Sequence, residues 1–180
     1  SQLLFHRALA EAGYIIISID NRGTPAPRGT AWRKIIYGTV GELSSKEQAA
    51  AVKALLAKHA FLDRDRVGVW GWSGGGTNTL NAMFRFPDVY KVGVSVAPVP
   101  DQRLYDTIYQ ERYMGVPQEN VAGYKIGSAI NFAEGLQGKL LVVHGGFVVA
   151  GWYVAGRLIR TGRGKQARYG LLGATLVVLL

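Results

Sequence analysis

The run Val67-Gly68-Val69-Trp70-Gly71-Trp72-Ser73-Gly74-Gly75-Gly76 constrains this chain more than any other stretch. A β-branched apolar segment enters Gly-x-Ser-x-Gly, and helix-compatible sequence follows. That order predicts a strand, a strained turn and a helix, with Ser73 at the crest of the turn. Small residues two before and two after let the backbone pack tightly there. The helix expected over 77–86 points its amino end at Ser73, where its dipole and free N–H groups would stabilise a developing oxyanion. Gly74 follows the candidate nucleophile directly, so its N–H is the obvious donor.

A chain of 180 residues suits one domain with a sizeable core. Its 48% apolar and 18% charged content is that of a globular protein. The absence of cysteine excludes disulfides and thiolate metal sites. His6, His59 and His144 show no metal-ligand spacing, so neither a metal nor a cofactor is expected. The net charge of +9 suggests a nucleic-acid or membrane partner at first sight. Much of it, however, comes from Arg157, Arg160, Arg163, Lys165 and Arg168 within 146–180, where no acid occurs. The body of the chain therefore carries no nucleic-acid signature.

Along the chain, 3–12 reads as the end of an amphipathic helix stopped by Gly13, with no signal or transit peptide; the chain is expected to begin inside a domain. Tyr14 to Asp20 is a continuous apolar run suited to a parallel strand buried on both faces. Asn21 to Pro25 ends it with turn chemistry, and 25–41 reads as a long irregular connection. Arg22 is either a solvated loop charge or, at the carboxyl end of a parallel strand, a lining of the ligand crevice. Ser44 and Glu47 have capping-box spacing, and the helix they open ends near His59, a last-turn residue that complements the dipole. Strands are expected over 66–70 and 92–97, giving parallel β-α-β units. A helix is expected over 104–114, placing Tyr105 and Tyr109 four apart on one face. They are either an aromatic core stripe or part of a site at the strand's carboxyl end.

Gly71-Trp72-Ser73-Gly74-Gly75-Gly76, Val96-Ala97-Pro98-Val99 and the segment from Leu104 to Gly115 resemble the catalytic domain of the prolyl oligopeptidase family, in its dipeptidyl peptidase IV branch. Asp20-Asn21-Arg22-Gly23-Thr24 and Leu140-Leu141-Val142-Val143-His144-Gly145 fit in the same order. The resemblance spans roughly 5 to 145 and implies an α/β-hydrolase fold, here incomplete: a mostly parallel sheet with helices on both faces. It implies Ser73 as acylating nucleophile, the Gly74 N–H as one oxyanion donor, and Tyr105, Tyr109 and Val99 as walls of the pocket for proline or alanine. Arg22 remains the further candidate for substrate binding. The second oxyanion donor and the acidic pair that grips the peptide's amino terminus would lie upstream. So would the family's β-propeller.

The departures are as informative. The branch commonly has Tyr directly after the serine, where this chain has Gly74, and Trp where it has Gln102. A wider, less proline-selective pocket is expected. In α/β-hydrolases the order is Ser, Asp, His. This chain has no Asp, Glu or His from 145 to 180, and His144 belongs to the strand-end motif. A serine hydroxyl without an adjacent base is a weak nucleophile, so the chain as it stands is expected to be inactive.

Residues 1–145 are thus expected to form a partial peptidase domain and 146–180 a divergent tail. A frameshift is the favoured origin of the tail. The uncharged stretch 140–156 only just reaches a membrane-spanning length, so a membrane partner is possible but not favoured. The expected partner is a peptide substrate. The resemblance alone favours an extracytoplasmic or membrane-associated setting, and family members are often dimeric. A non-catalytic binding or scaffold protein is the competing class, and an esterase or lipase a third.

Overall fold

The structure, a computed structural model, describes residues 2–144. In chain order it contains α1 (Gln2–Glu11), α2 (Gly29–Lys34), α3 (Leu43–Lys58), β1 (Gly68–Trp72), α4 (Gly74–Arg85), β2 (Val92–Val96), α5 (Thr107–Met114), α6 (Val121–Gly127) and β3 (Lys139–Val143). Three 3₁₀ turns, at Arg64–Arg66, Gln102–Leu104 and Ala129–Gly135, connect them. The strands form a parallel sheet in the order β1-β2-β3. Its register runs from Gly68 opposite Val92 and Lys139 to Trp72 opposite Val96 and Val143. Parallel neighbours need crossovers, and α4 supplies the first while α5 and α6 lie within the second.

Side chains alternate along each strand. Val69, Gly93 and Leu140 form one row beneath α4, and Gly71, Ser95 and Val142 the next. Both rows have small members in the middle of the sheet, which lets α4 approach. A Cβ at Gly93 would lie 2.6 Å from Met83 Cγ, and one at Gly71 would lie 2.3 Å from the Gly75 carbonyl. Ser95 donates from its hydroxyl to Gly76 O at 2.8 Å, fastening the helix start to the sheet. Leu80, Met83 and Phe84 of α4 then close the core with Tyr90, Ile130 and Leu136. Each such large side chain contributes about 1.5–3 kcal/mol by leaving water. Burial also pushes the Tyr90 phenol up to about 12. On the opposite face Trp70 packs edge-on to Phe5 of α1, ring centroids 4.8 Å apart, so helices flank both faces.

Several expectations change. Tyr14 to Asp20 is not a strand; it belongs to no regular element, with Tyr14 and Ile15 at 63% and 60% exposure. An apolar run specifies a buried environment but not a neighbour, and none of its backbone joins a ladder among the described residues. The capping box is absent. Helix α3 begins two residues earlier than a Ser44 cap requires, so Ser44 lies in its first turn and donates to Asn78 Oδ1 at 2.8 Å, while Glu47 turns to Arg22. The strand expected over 66–70 is displaced two residues, because Asp63 accepts from the Asp65 amide and curls 64–66 into a 3₁₀ turn. The irregular connection over 25–41 contains the short α2. The helix expected over 104–114 is divided: Asp106 caps α5 by accepting from the Tyr109 amide, leaving Tyr105 on extended backbone before it. Among the described residues no helix is long and apolar enough to cross a membrane. The tail over 146–180, with the frameshift and membrane readings attached to it, lies outside the described residues.

Candidate active site

Strand β1 delivers Ser73 to the amino end of α4 with φ 56° and ψ −116°. This conformation costs a non-glycine residue about 1–3 kcal/mol and persists only where surroundings over-determine it. Here the Ser73 N–H donates to Val96 O at 2.8 Å, and Ser73 O accepts the first helical bond from Thr77 N at 2.9 Å. The side chain is exposed and makes no capping hydrogen bond to its own helix. A serine at this position would ordinarily bond the second or third helical amide. The hydroxyl is instead left outward, beside the amide of Gly74, the first residue of α4 and one of those with no intrahelical acceptor.

The steric demand behind the glycine motif falls at Gly71 and Gly76. A Cβ at Gly76 would lie 2.5 Å from Val96 O, whereas one at Gly75 would meet nothing within 4 Å. Strand β2 ends as β1 does, in a non-glycine residue with positive φ: Ala97, at 47°. Its N–H donates to Val143 O at 2.7 Å. His144 follows, its Nε2 3.2 Å from Pro98 O, so the ring belongs to this strand-end seam.

Val99 is tied to the nucleophile's helix. Its N–H donates to Thr77 Oγ1 at 2.8 Å, one turn along α4 from Ser73. Beyond it stands a run of phenol rings. Tyr105 and Tyr109 meet edge-on at 5.4 Å, Tyr109 and Tyr113 at 4.8 Å, and Tyr113 meets Tyr37 at 5.5 Å. Tyr105 and Tyr109 are exposed rather than buried in a core stripe. Partial burial raises the Tyr109 phenol above its ordinary value, with Tyr113, Tyr105 and Asp106 adding to the shift, so it stays a neutral donor at physiological pH.

Behind the rings the fold is polar and buried. Asp101 accepts from Arg103 N and Nε at 3.0 Å and from its Nη2 at 2.6 Å. Burial pushes the Asp101 carboxyl up, but the Arg103 hydrogen bonds and charge, with Ser128, outweigh it and hold the group below its usual range. Gln102, expected at a position where the pocket would otherwise have an aromatic ring, is 4% exposed and bonded to Gln110 at 2.7 Å. Arg22 stands apart. Its Nε donates to Glu47 Oε1 and its amide to Glu47 Oε2, binding the 21–24 turn to α3.

Ser73, Gly74 and Val99 are therefore linked through one turn of α4, and the tyrosines through the polar layer behind them. Sequence reasoning passed over Thr77, Asn81, Gln110 and Tyr37. The spacing of Tyr105, Tyr109 and Tyr113 could have flagged the ring run; nothing local marks Thr77 or Gln110. Among the described residues no three His, Cys, Asp or Glu side chains are placed to hold a metal ion.

Residues 5–147 match the family model described as the prolyl oligopeptidase family. Human dipeptidyl peptidase 8 is 38% identical over 140 residues, 76% of this chain and 16% of that protein. A probable dipeptidyl-aminopeptidase B of Pyrenophora teres is 40% identical over 138 residues, 76% of this chain and 15% of its own length. The crystal structure of Porphyromonas gingivalis dipeptidyl peptidase 4 superposes with a TM-score of 0.75 and 40% identity, covering 79% of this chain and 21% of that one. The chain thus spans well under a quarter of the relatives it matches.

Proposed function

This chain belongs to the prolyl oligopeptidase family and has its α/β-hydrolase architecture, and on that premise we propose that it is the nucleophile-bearing part of a serine peptidase of dipeptidyl-peptidase type. The observation that carries the reading is Ser73 itself: an exposed hydroxyl, strained in the left-handed region, at the open amino end of α4. Its Oγ adds to the carbonyl carbon of a substrate peptide bond while its proton passes to a general base. The resulting oxyanion is received by the Gly74 N–H. The C–N bond then breaks, the amine leaves with the proton, and water hydrolyses the Ser73 ester by the same steps in reverse roles. Tyr105, Tyr109 and Val99 form the wall that accepts the side chain before the cleaved bond. With Gly74 and the buried Gln102 adding no ring to that wall, small residues besides proline are accepted. Arg22, paired to Glu47, holds the 21–24 turn on α3 and reaches substrate only through that turn.

The base is the missing part. No Asp, Glu or His occurs from 145 to 180, so the hydroxyl of this chain alone is unactivated. Loss of the base from a serine triad lowers turnover on the order of 10⁶-fold. The same absence favours a second reading, a non-catalytic member that keeps the elbow for binding.

A fluorophosphonate probe separates the two. The chain alone is expected to react negligibly. Residues 5–144, exchanged for the matching segment of an active dipeptidyl peptidase, are expected to be labelled at Ser73. A folded chimera that stays unlabelled supports the binding reading instead.

A further inference from the structure

The tyrosine-bearing helix α5 has little to hold it. Of its residues only Gln110 and Met114 are buried, and Ile108 is 87% exposed. Its neighbour Tyr105 lies outside the helix, yet the Tyr105 and Tyr109 rings keep an edge-on geometry. Between α5 and the helix that begins after Ser73 runs a file of buried amides. Arg85, on the last turn of α4, donates from Nε to Asn81 Oδ1 at 2.9 Å and from Nη2 to Ile126 O. A guanidinium has no acceptor, so the Asn81 amide can face only one way. Its Nδ2 donates to Thr77 O at 3.2 Å and, more loosely, to Gly127 O at 3.5 Å. Gly127 O also accepts from Gln102 Nε2 at 3.3 Å. That contact fixes the second amide, turning Gln102 Oε1 outward to accept from Gln110 Nε2 at 2.7 Å. Asn81, Gln102 and Gln110 are 0%, 4% and 3% exposed.

We propose that the Gln102–Gln110 amide pair is a positioning device that sets Tyr105 and Tyr109 in register with the Ser73 helix, and thereby the size of residue admitted before the cleaved bond. The second half of this statement rests on the peptidase reading above; the first does not. The donors run inward from both ends, from Arg85 through Asn81 and from Gln110 through Gln102, and meet at Gly127 O, where the glycine lets both side chains reach one carbonyl. A Cβ there would stand 2.3 Å from Val40 O and 3.5 Å from Gln102 Cγ. The pair therefore couples α5 to α4 across a buried interface, where an apolar pair of equal volume could fill space but could not fix rotation.

The test uses the full chain labelled with 3-fluorotyrosine, its ¹⁹F signals assigned by Tyr→Phe variants. Gln110→Leu is expected to shift the Tyr105 and Tyr109 signals, to speed amide exchange over 107–114 and to lower the melting temperature. The double variant Gln102→Met with Gln110→Met leaves no unpaired amide, so it is expected to regain most of the melting temperature while the tyrosine signals stay displaced. Valyl-prolinamide, titrated at millimolar concentration, is expected to perturb Tyr105 and Tyr109 in the native chain and to bind about tenfold more weakly to the double variant. Return of the tyrosine signals to native positions in the double variant would overturn the proposal, since the pair would then be filling space only. Displaced tyrosines together with no response to valyl-prolinamide in the native chain would uphold the positioning role and overturn the substrate reading.

Discussion

Thr77 receives the amide proton of Val99 on its Oγ1 at 2.8 Å, one helical turn from Ser73. That bond joins the segment leaving β2 to the helix leaving β1, and so joins the candidate pocket to the candidate nucleophile. Thr77 is 5% exposed, and its hydroxyl proton is directed to Val99 O or Ser73 O. Thr77→Val keeps the shape but leaves a half-buried N–H without its acceptor. The expected loss is about 1–3 kcal/mol in urea unfolding, against less than about 1 kcal/mol for Thr77→Ser. Equal losses for the two would show that the methyl, not the hydroxyl, matters.

Ser73 holds a backbone conformation that glycine adopts without strain. Ser73→Gly is therefore expected to remove the nucleophile and still raise stability by about 1 kcal/mol, the relief outweighing the entropy glycine loses on folding. Thermal unfolding of the two proteins side by side measures this, and a lower midpoint for the variant would argue against a strained turn.

Gly75 and Gly76 are adjacent but should respond oppositely. A Cβ at Gly76 meets Val96 O at 2.5 Å, a backbone atom that cannot move without breaking the sheet contact, whereas Gly75 opens on empty space within a helix. Gly76→Ala is expected to destabilise by about 1–3 kcal/mol. Gly75→Ala should be neutral or stabilising by up to about 1 kcal/mol. Chemical denaturation distinguishes them, and a reversed order would place the close approach at the wrong residue.

Much of this was legible beforehand. Ser73 on a strand-to-helix turn, the parallel strands through Val94 and Val142, and the helix stop at Gly13 all follow from local pattern, because turn chemistry and β-branched runs act within a few residues. What escaped was non-local. Glu47 has a capping partner three residues away in sequence, yet bonds Arg22 from twenty-five residues off. Tyr14 to Asp20 carries a strand's composition but no ladder, since pairing depends on a second segment that composition does not name. Gln102 resembled a lost pocket ring, and its burial against Gln110 and Gly127 could not be seen in either residue alone.

Acid should loosen the layer behind the tyrosines. The folded Asp101 carboxyl lies below its ordinary value, so the stability it adds is fully present above the unfolded pKa of about 4. It is lost as pH falls through the lower folded value. Melting temperatures of the native chain and Asp101→Asn, taken from pH 6 downward, are expected to converge only below about pH 4. A constant gap across that range would mean that the Arg103 contact does not depend on charge.

The central claim is that Ser73 is a peptidase nucleophile deprived, in this chain, of its base. The most direct measurement is dipeptide release from an Ala-Pro or Ala-Ala anilide by a dipeptidyl peptidase in which residues 5–144 replace the matching segment, assayed beside its Ser73→Ala variant and beside the chain alone. The chimera is expected to release dipeptide from both substrates, the variant and the lone chain from neither. A folded chimera without activity, or activity that survives Ser73→Ala, would contradict the account.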